Sequence, residues 1–375
     1  MKIAIMTQPL GHNYGGILQA WALQQILKKE GHQVVTIDRQ PENRGVIYNG
    51  IRFSVRVVKK ITGKRNIPIN FEKHYPYIFG NTKKFVSDNI VTSESLDRTK
   101  NLKAHFERGS YDAVIVGSDQ TWRPRYSPNI ANFFLDFLEG INLKKISYAS
   151  SFGVDEWEFN KIETKLCANL AKKFDAISVR EDSGISLCKR FLGVQAEHVL
   201  DPTLLLNKSF YEELIGKDRI KVNNEGIFTY FLDKTPGKVK LVERASKETG
   251  ESVYSCQAKY SLNANIKAHI DDYTLPDPRE WLSGFANSNY VITDSFHGMV
   301  FSIIFNKPFY VVNNKSRGAA RFHSLLRKLN IEQFLIDENY NGDMFSSDNL
   351  INFNDVNCLL DKLSNSSFRF IYNNL

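Results

Sequence analysis

Cysteine is scarce in this sequence, and long apolar runs are missing. The four cysteines among 375 residues are widely spaced and form no C-x-x-C pair. This spacing argues against a disulfide framework or a zinc site and fits reduced, mostly buried thiols. No segment approaches the ~18 consecutive apolar residues of a membrane-spanning helix. We therefore expect neither a resident metal nor a transmembrane segment.

The amino-terminal segment and the charge balance bear on location and partners. The opening MKIAIM is too short for the apolar region of a signal peptide and predicts a first strand in a cytosolic protein. Basic residues outnumber acidic ones, 49 to 41, with much of the excess in 51–74. Such a basic, partly amphipathic stretch is either a solvated surface helix or a contact for an anionic partner. Zinc-finger spacing and RNP-type aromatic motifs are absent, so we expect no nucleic-acid partner.

Short apolar runs alternate with segments of helical period in both halves of the chain. This alternation predicts an α/β fold with parallel sheets, and the length favours more than one core. We predict a Rossmann-like domain over 1–203 with a helical insertion at about 50–105, a second over 204–335, and a helical tail over 336–375. Strands are predicted at 2–8, 33–39, 111–120, 144–153, 174–182, 226–232, 252–258, 290–295 and 308–314.

Two such domains would face each other across a cleft. In open parallel sheets, ligands bind outside the carboxyl ends of the strands. The loops at those ends are rich in small, polar or ionisable residues. The candidate loops are GHNYGG (11–16), GSDQTW (117–122), SVRED (178–182) and TDSFHG (293–298).

The TDSFHG loop predicts an anion site. Ser295 or Asp294 would cap the following helix, and Gly298 would let its first turn approach a ligand. Free N–H groups at a helix start favour phosphate or carboxylate, which His297 would reach. The alternative is a capped helix start whose histidine binds a backbone carbonyl.

Arginines near the strand ends supply candidate cations. Arg180 either binds a carboxylate or phosphate bidentately or pairs locally with Glu181 or Asp182. Arg317 and Arg321 follow the next strand of the second half. A single arginine there is commonly a surface residue, but three basic residues on one rim indicate an anionic ligand.

The first half offers polar groups for an acceptor. Its glycine-containing turn lacks G-x-G-x-x-G spacing, and it either binds a ligand or is a tight turn capped by Asn13. Ser118, Asp119 and Gln120 lie beside Trp122, an arrangement suited to the hydroxyls and apolar face of a sugar. An ordinary βα turn is the alternative.

Five segments together resemble one family. HNYGGILQAWALQ, VGSDQTW, FDAISVRE, LDPTLLL and TDSFHGMVFSIIFNKPF, in this order and spacing, resemble the polysaccharide pyruvyl transferase family over about residues 1–330. The resemblance implies a GT-B-like fold, with two Rossmann-like domains facing across a cleft. It also implies transfer of pyruvate from phosphoenolpyruvate (PEP) onto two sugar hydroxyls, with galactose the leading acceptor. The product would be a cyclic ketal in a capsule, an exopolysaccharide or a lipid-linked precursor.

The resemblance also implies roles for individual residues. His297 would be the general acid, with an unperturbed histidine titrating near pH ~6.5, and Asp119 the base. PEP is a substrate, and no cofactor is expected. The PEP-binding residues would be Arg180, Ser295, Phe296, Gly298, Arg317 and Arg321. The acceptor-binding residues would be Asn13, Tyr14, Gly15, Gly16, Ser118, Gln120 and Trp122.

Two other functions compete with this interpretation. One is a GT-B glycosyltransferase that uses a nucleotide sugar. Retaining members often carry two glutamates separated by seven residues, whereas here Ser302 follows Asp294 by eight positions. The other is a non-catalytic subunit of a polysaccharide assembly complex. The basic stretch 51–74 favours an enzyme peripheral to the inner face of the membrane, where it would meet a lipid-linked acceptor.

Overall fold

The computed structural model describes residues 1–42, 45–262, 264–314, 318–346 and 350–375. Its strands are β1 (Lys2–Met6), β2 (Gln33–Ile37), β3 (Ala113–Val116), β4 (Lys144–Ser150), β5 (Ala176–Val179), β6 (Glu197–His198), β7 (Ile227–Tyr230), β8 (Val253–Ser255), β9 (Tyr290–Thr293), β10 (Phe309–Val312) and β11 (Leu335–Ile336). Its α-helices are α1 (Tyr14–Lys29), α2 (Gly45–Ile61), α3 (Tyr75–Ile78), α4 (Gly80–Asn89), α5 (Thr99–Gly109), α6 (Lys161–Ala171), α7 (Asp182–Leu187), α8 (Lys208–Ile215), α9 (Pro236–Thr249), α10 (Pro278–Asn287), α11 (Phe296–Ile304), α12 (Ala320–Lys328) and α13 (Phe353–Asn374).

The strands form two parallel sheets with matching order. The first runs β2-β1-β3-β4-β5-β6 and the second β8-β7-β9-β10-β11. In each sheet the chain changes direction between the first and third strands of the domain. The carboxyl ends of the strands at this switch point form the usual ligand crevice. The loops after β1 and β3, and those after β7 and β9, are therefore positioned to build a site.

Burial explains the strand and helix pattern. Ile3 to Met6 are wholly buried, and such continuous apolar runs are typical of parallel strands covered on both faces. All of α11 is buried as well, because its sequence is apolar on every side. One apolar cluster includes Trp21 of the first domain and Phe301 of the second, with Tyr211 between them, 5.6 and 5.1 Å from their respective rings.

Two segments tie the domains together outside the sheets. The inserted residues after α2 pack on the loop before α10, where the rings of Phe71 and Tyr273 meet at 5.0 Å and Leu275 N–H donates to the Ile78 carbonyl. Helix α13 returns from the second domain to the first, where Ser367 Oγ accepts from Leu200 N–H at 3.0 Å. The sequence predicts a helical tail there but does not predict this docking.

The predicted α/β class with two Rossmann-like domains facing across a cleft, as in GT-B folds, is confirmed by the two sheets. Cys167 and Cys188 are buried free thiols, Cys256 is partly buried, and Cys358 is exposed. In the described part of the chain, no helix is long and apolar enough to cross a membrane.

Candidate active site

Three residues of the TDSFHG loop have different structural roles. Ser295 caps α11, its Oγ accepting from Gly298 N–H at 3.3 Å. Asp294 does not cap the helix. Its carboxylate accepts from Leu232 N–H at 2.6 Å and binds the buried Lys238 ammonium at 2.7 Å, so it fixes the loop after β7. A Cβ on Gly298 would overlap Thr293, so this glycine allows close packing of α11 on β9.

His297 occupies the first turn of α11 and faces the first domain. Its imidazole lies against the backbone of Gly15, where any Cβ would overlap the ring. Its Nε2 lies 3.6 Å from Asp201 Oδ2. Among the described residues this buried nitrogen has no hydrogen-bond partner. The ring is therefore held between the N-terminus of α1 and a buried carboxylate.

Asp201 is the central acceptor of the site, and the sequence analysis did not single it out. Its carboxylate accepts from Arg180 Nη1 at 2.9 Å and from Ser118 Oγ at 2.8 Å, and from the backbone and hydroxyl of Thr203. Burial alone would raise the pKa of Asp201. The His297 and Arg180 cations and the Thr203 donor outweigh burial and hold that pKa well below its ordinary value.

Arg180 is buried and points into the cleft. It pairs with Asp201, and not locally with Glu181 or Asp182, and its Nη2 lies 3.7 Å from Asp119 Oδ1. Within the described residues, its Nε and Nη2 have no hydrogen-bond partner. The Glu181 carboxylate instead accepts hydrogen bonds from the backbone N–H groups of Phe152 and Gly153, just after β4. Arg180 thus retains donors for a ligand.

The ring of Phe296 lies close to two buried cations. The guanidinium of Arg180 lies 4.6 Å from its ring centroid and that of Arg321 lies 5.4 Å away. Burial, with a further contribution from Arg180, lowers the pKa of Arg321 from 12.5 to about 10. Two cations buried this close together favour an anion between or beside them. The other candidate cation, Arg317, lies outside the described residues.

The rim on the first domain is formed by Asn13 and Asp119. Asn13 occupies the N-cap position of α1, but its side chain does not cap the helix and donates to Asp119 Oδ2 at 3.1 Å. Asp119 has a left-handed backbone with φ 73°, a conformation frequent at functional sites. A Cβ on Gly16 would lie 3.0 Å from Asp119 Oδ2. Asn13 is exposed and Asp119 is buried, so the pair leads from solvent into the site.

Three residues of the predicted acceptor set have other partners. Trp122 is wholly buried, stacks on Phe134 at 4.8 Å and donates to a backbone carbonyl, so its ring belongs to the core of the first domain. Tyr14 is buried, stacking on Trp281 and donating to the Pro276 carbonyl. The amide oxygen of Gln120 accepts from Arg123 at 2.9 Å.

The described residues contain no cluster of three or more histidine, cysteine, aspartate or glutamate side chains that could hold a metal ion. What they bring together is an imidazole, two arginines and two carboxylates at the junction of the domains. This set can bind an anion and transfer a proton.

Comparison with known proteins identifies a family. The sequence profile of the family described as polysaccharide pyruvyl transferase matches residues 13–316, more than half of the chain. No curated protein matches significantly. Similar solved structures include a glycosyltransferase from Rickettsia africae, with 12% identity over 100% of this chain and 93% of that chain at a TM-score of 0.49. Another is a UDP-GlcNAc 2-epimerase from Neisseria meningitidis, with 10% identity over 99% and 92% at a TM-score of 0.48. Identities this low say nothing about the activity of this chain.

Proposed function

The chain belongs to the polysaccharide pyruvyl transferase family, and we propose that it moves the pyruvyl group of PEP onto two hydroxyls of a sugar. The observation that carries this proposal is the pair of buried arginines stacked on Phe296 beside His297. PEP carries both a carboxylate and a phosphate, and its reaction begins with a proton. The site offers cations and an imidazole within one small volume.

The proposed reaction balances without a further reactant. Protonation of the PEP methylene makes a methyl group and leaves a cationic centre at the neighbouring carbon, which the first sugar hydroxyl attacks. The C–O bond to phosphate then breaks, and the second hydroxyl closes the ketal. The sugar hydroxyls lose two protons. One replaces the proton that the general acid gave to the methylene carbon, and the other leaves with the phosphate.

His297 is the proposed general acid. As an imidazolium it would form an ion pair with Asp201, whose carboxylate lies 3.6 Å from Nε2. The N-terminal turns of α1 and α11 meet at this ring, and helix N-termini favour bound anions. PEP bound there would therefore lie within reach of the imidazole.

Arg180 and Arg321 are the proposed PEP clamp. Both guanidinium groups lie within cation–π distance of the Phe296 ring. A planar carboxylate or a phosphate matches the fork of a guanidinium. We assign the carboxylate and the phosphate of PEP to this pair together.

The acceptor sugar would enter along the rim formed by Asn13 and Asp119. Asp119 is the proposed base for the attacking hydroxyl. The side chain of Asn13 would orient the Asp119 carboxylate through their 3.1 Å hydrogen bond. Galactose in a cell-surface polysaccharide or its lipid-linked precursor is the proposed acceptor. PEP is the donor, and no further cofactor enters the scheme.

Calorimetric titration with PEP and with a panel of sugar nucleotides tests the proposal without knowledge of the acceptor. We expect the wild type to bind PEP and not the nucleotides. His297→Ala should weaken PEP binding, whereas His323→Ala, an exposed histidine of α12, should leave it unchanged. Nucleotide binding without PEP binding would contradict the proposal and indicate a glycosyltransferase.

A further inference from the structure

Helix α2 is oriented with its apolar face toward solvent. A surface helix normally buries its apolar face and exposes its charges. In α2, Ile51, Val55 and Val58 are exposed by 60, 48 and 59%, and at ~3.6 residues per turn they share one face. Ile61, at the C-terminal end of α2, is exposed by 79%, and Phe53, on the other side of the helix, by 47%. The folded chain leaves the apolar face in water.

The opposite face of α2 is basic and holds the helix to the protein. Arg56 pairs bidentately with Glu72, and Arg52 lies 3.8 Å from the same carboxylate. Lys59 and Lys60 lie in the last turn of the helix, where both are exposed to solvent. Ion pairs with Glu72 therefore keep the apolar face pointing away from the body of the protein.

The segment that holds α2 in place lies close to the cleft. Glu72 belongs to the turn that precedes α3, and Phe79, immediately after α3, stacks on His12 at 5.7 Å. His12 is the neighbour of Asn13 at the acceptor rim. A surface that receives α2 would thus lie beside the opening through which the acceptor is proposed to enter.

We propose that α2 is an interfacial helix that seats the chain on an anionic lipid surface. Its apolar face would enter the boundary between headgroups and acyl chains, as basic amphipathic helices do. Lys59, Lys60 and the exposed Lys64 just after the helix complement anionic headgroups, each contributing about 1 kcal/mol near such a surface. This charge complementarity selects a lipid surface over a second copy of this basic chain. The proposal goes beyond the pyruvyl transfer proposed above and does not depend on it.

Co-sedimentation of the full chain with vesicles tests the proposal. One set is phosphatidylcholine alone, and the other is equal parts phosphatidylcholine and phosphatidylglycerol. We expect binding to the mixed vesicles and little to the neutral ones. The double variant Ile51→Asp/Val58→Asp should reduce binding about tenfold or more, since each change removes buried apolar area and adds a charge. Lys59→Glu/Lys60→Glu should reduce it at least about fivefold per lysine.

Matched controls come from other helices. Ile162→Asp/Val239→Asp places the same charges at positions exposed by 82 and 51%, and Lys161→Glu/Lys165→Glu reverses two exposed charges of α6. Both should bind vesicles as the wild type does. A Val55→Trp reporter, placed on the apolar face, should shift its emission to the blue on mixed vesicles.

Three outcomes would overturn the proposal. They are absence of binding to mixed vesicles, equal binding by the α2 variants, and a wild-type dimer in light scattering that the α2 variants dissociate. The last would identify the face as a protein interface. PEP is absent from all these measurements, so their failure is distinguishable from failure of the proposed activity.

Discussion

The imidazole of His297 lies directly on the backbone of Gly15, with no space between them for a Cβ. Gly15 is in the first turn of α1 and His297 in the first turn of α11, so the contact joins the two domains at the site itself. The next residue, Gly16, is less crowded, since a Cβ there would lie 3.0 Å from Asp119 Oδ2 and from Asn13 Nδ2. Two consecutive glycines thus let the proposed acid and the proposed base approach one helix start from different sides.

Gly15→Ala should therefore impair catalysis without unfolding the chain. The added methyl must displace the His297 ring or part the domains, and a shift of about 1 Å can cost ~10²-fold in rate. We expect the turnover of PEP with an acceptor to fall by that order while the far-UV circular dichroism spectrum stays unchanged. Steady-state kinetics with a galactose-containing acceptor would measure the loss.

Gly80→Ala is the matched control, because a Cβ at Gly80 would meet nothing within 4 Å. It should retain full activity. A Gly15→Ala variant as active as Gly80→Ala would mean that the contact with His297 has no part in the reaction.

Much of the fold could be predicted because parallel strands and their helices carry strong local patterns. The buried residues of β1 are all apolar, as are Val291 and Ile292 of β9, and α9 is bounded by Pro236 and a C-terminal Gly250, typical start and stop signals. The edge strands β6 and β11 were not predicted, because two residues give no period. The docking of α13 on the first domain depends on contacts distant in sequence.

The site was predictable as a set of loops but not as a network of side chains. Strand-end position indicated His297, Arg180 and Asp119, because any open parallel sheet brings those ends together. Asp201 follows a two-residue strand and resembles an ordinary turn residue before proline, so only the family resemblance of LDPTLLL marked its segment, without assigning Asp201 a role. The burial of Trp122 was not predictable, because neighbourhood in sequence to Asp119 does not determine which face of the turn a side chain takes.

Asp201→Asn should destabilise the chain by about 3–5 kcal/mol, the usual effect of removing one partner from a buried ion pair. Arg180→Met should destabilise it for the same reason, since Asp201 would keep an uncompensated charge. The double variant should lose less than the sum of the two single variants, because no lone charge remains. Urea unfolding of the four proteins measures this, and additive losses would show that Arg180 and Asp201 are not coupled.

Acid should erase the difference between wild type and Asp201→Asn. The folded-state pKa of Asp201 lies below its ordinary value of 3.8. The stabilisation by its carboxylate is therefore fully present above about pH 4 and is lost as the pH falls through the lower, folded-state pKa. Urea midpoints measured from pH 7 downward should converge below pH 3.8. If the difference in urea midpoint stays constant below pH 3.8, the stabilisation does not come from the Asp201 carboxylate.

Arg321→Met should separate binding from stability. Burial disfavours the charged form of Arg321, as its pKa of about 10 indicates, so an apolar side chain of similar length should change PEP affinity more than it changes the melting temperature of the unliganded chain. PEP affinity should fall by one to two orders of magnitude, since a charge-assisted hydrogen bond contributes about 1.5–3 kcal/mol. Differential scanning fluorimetry with and without PEP reports both quantities.

The pH dependence of PEP binding distinguishes this cation from others in the cleft. Because Arg321 loses its proton near pH 10, wild-type affinity for PEP should decline as the pH rises through that value. Arg321→Met has no such group, so its weaker affinity should lack this decline, and any decline shared by both proteins belongs to lysines or tyrosines. Identical pH profiles together with equal PEP affinity in the two proteins would remove Arg321 from the proposed clamp and leave Arg180 as its described cation.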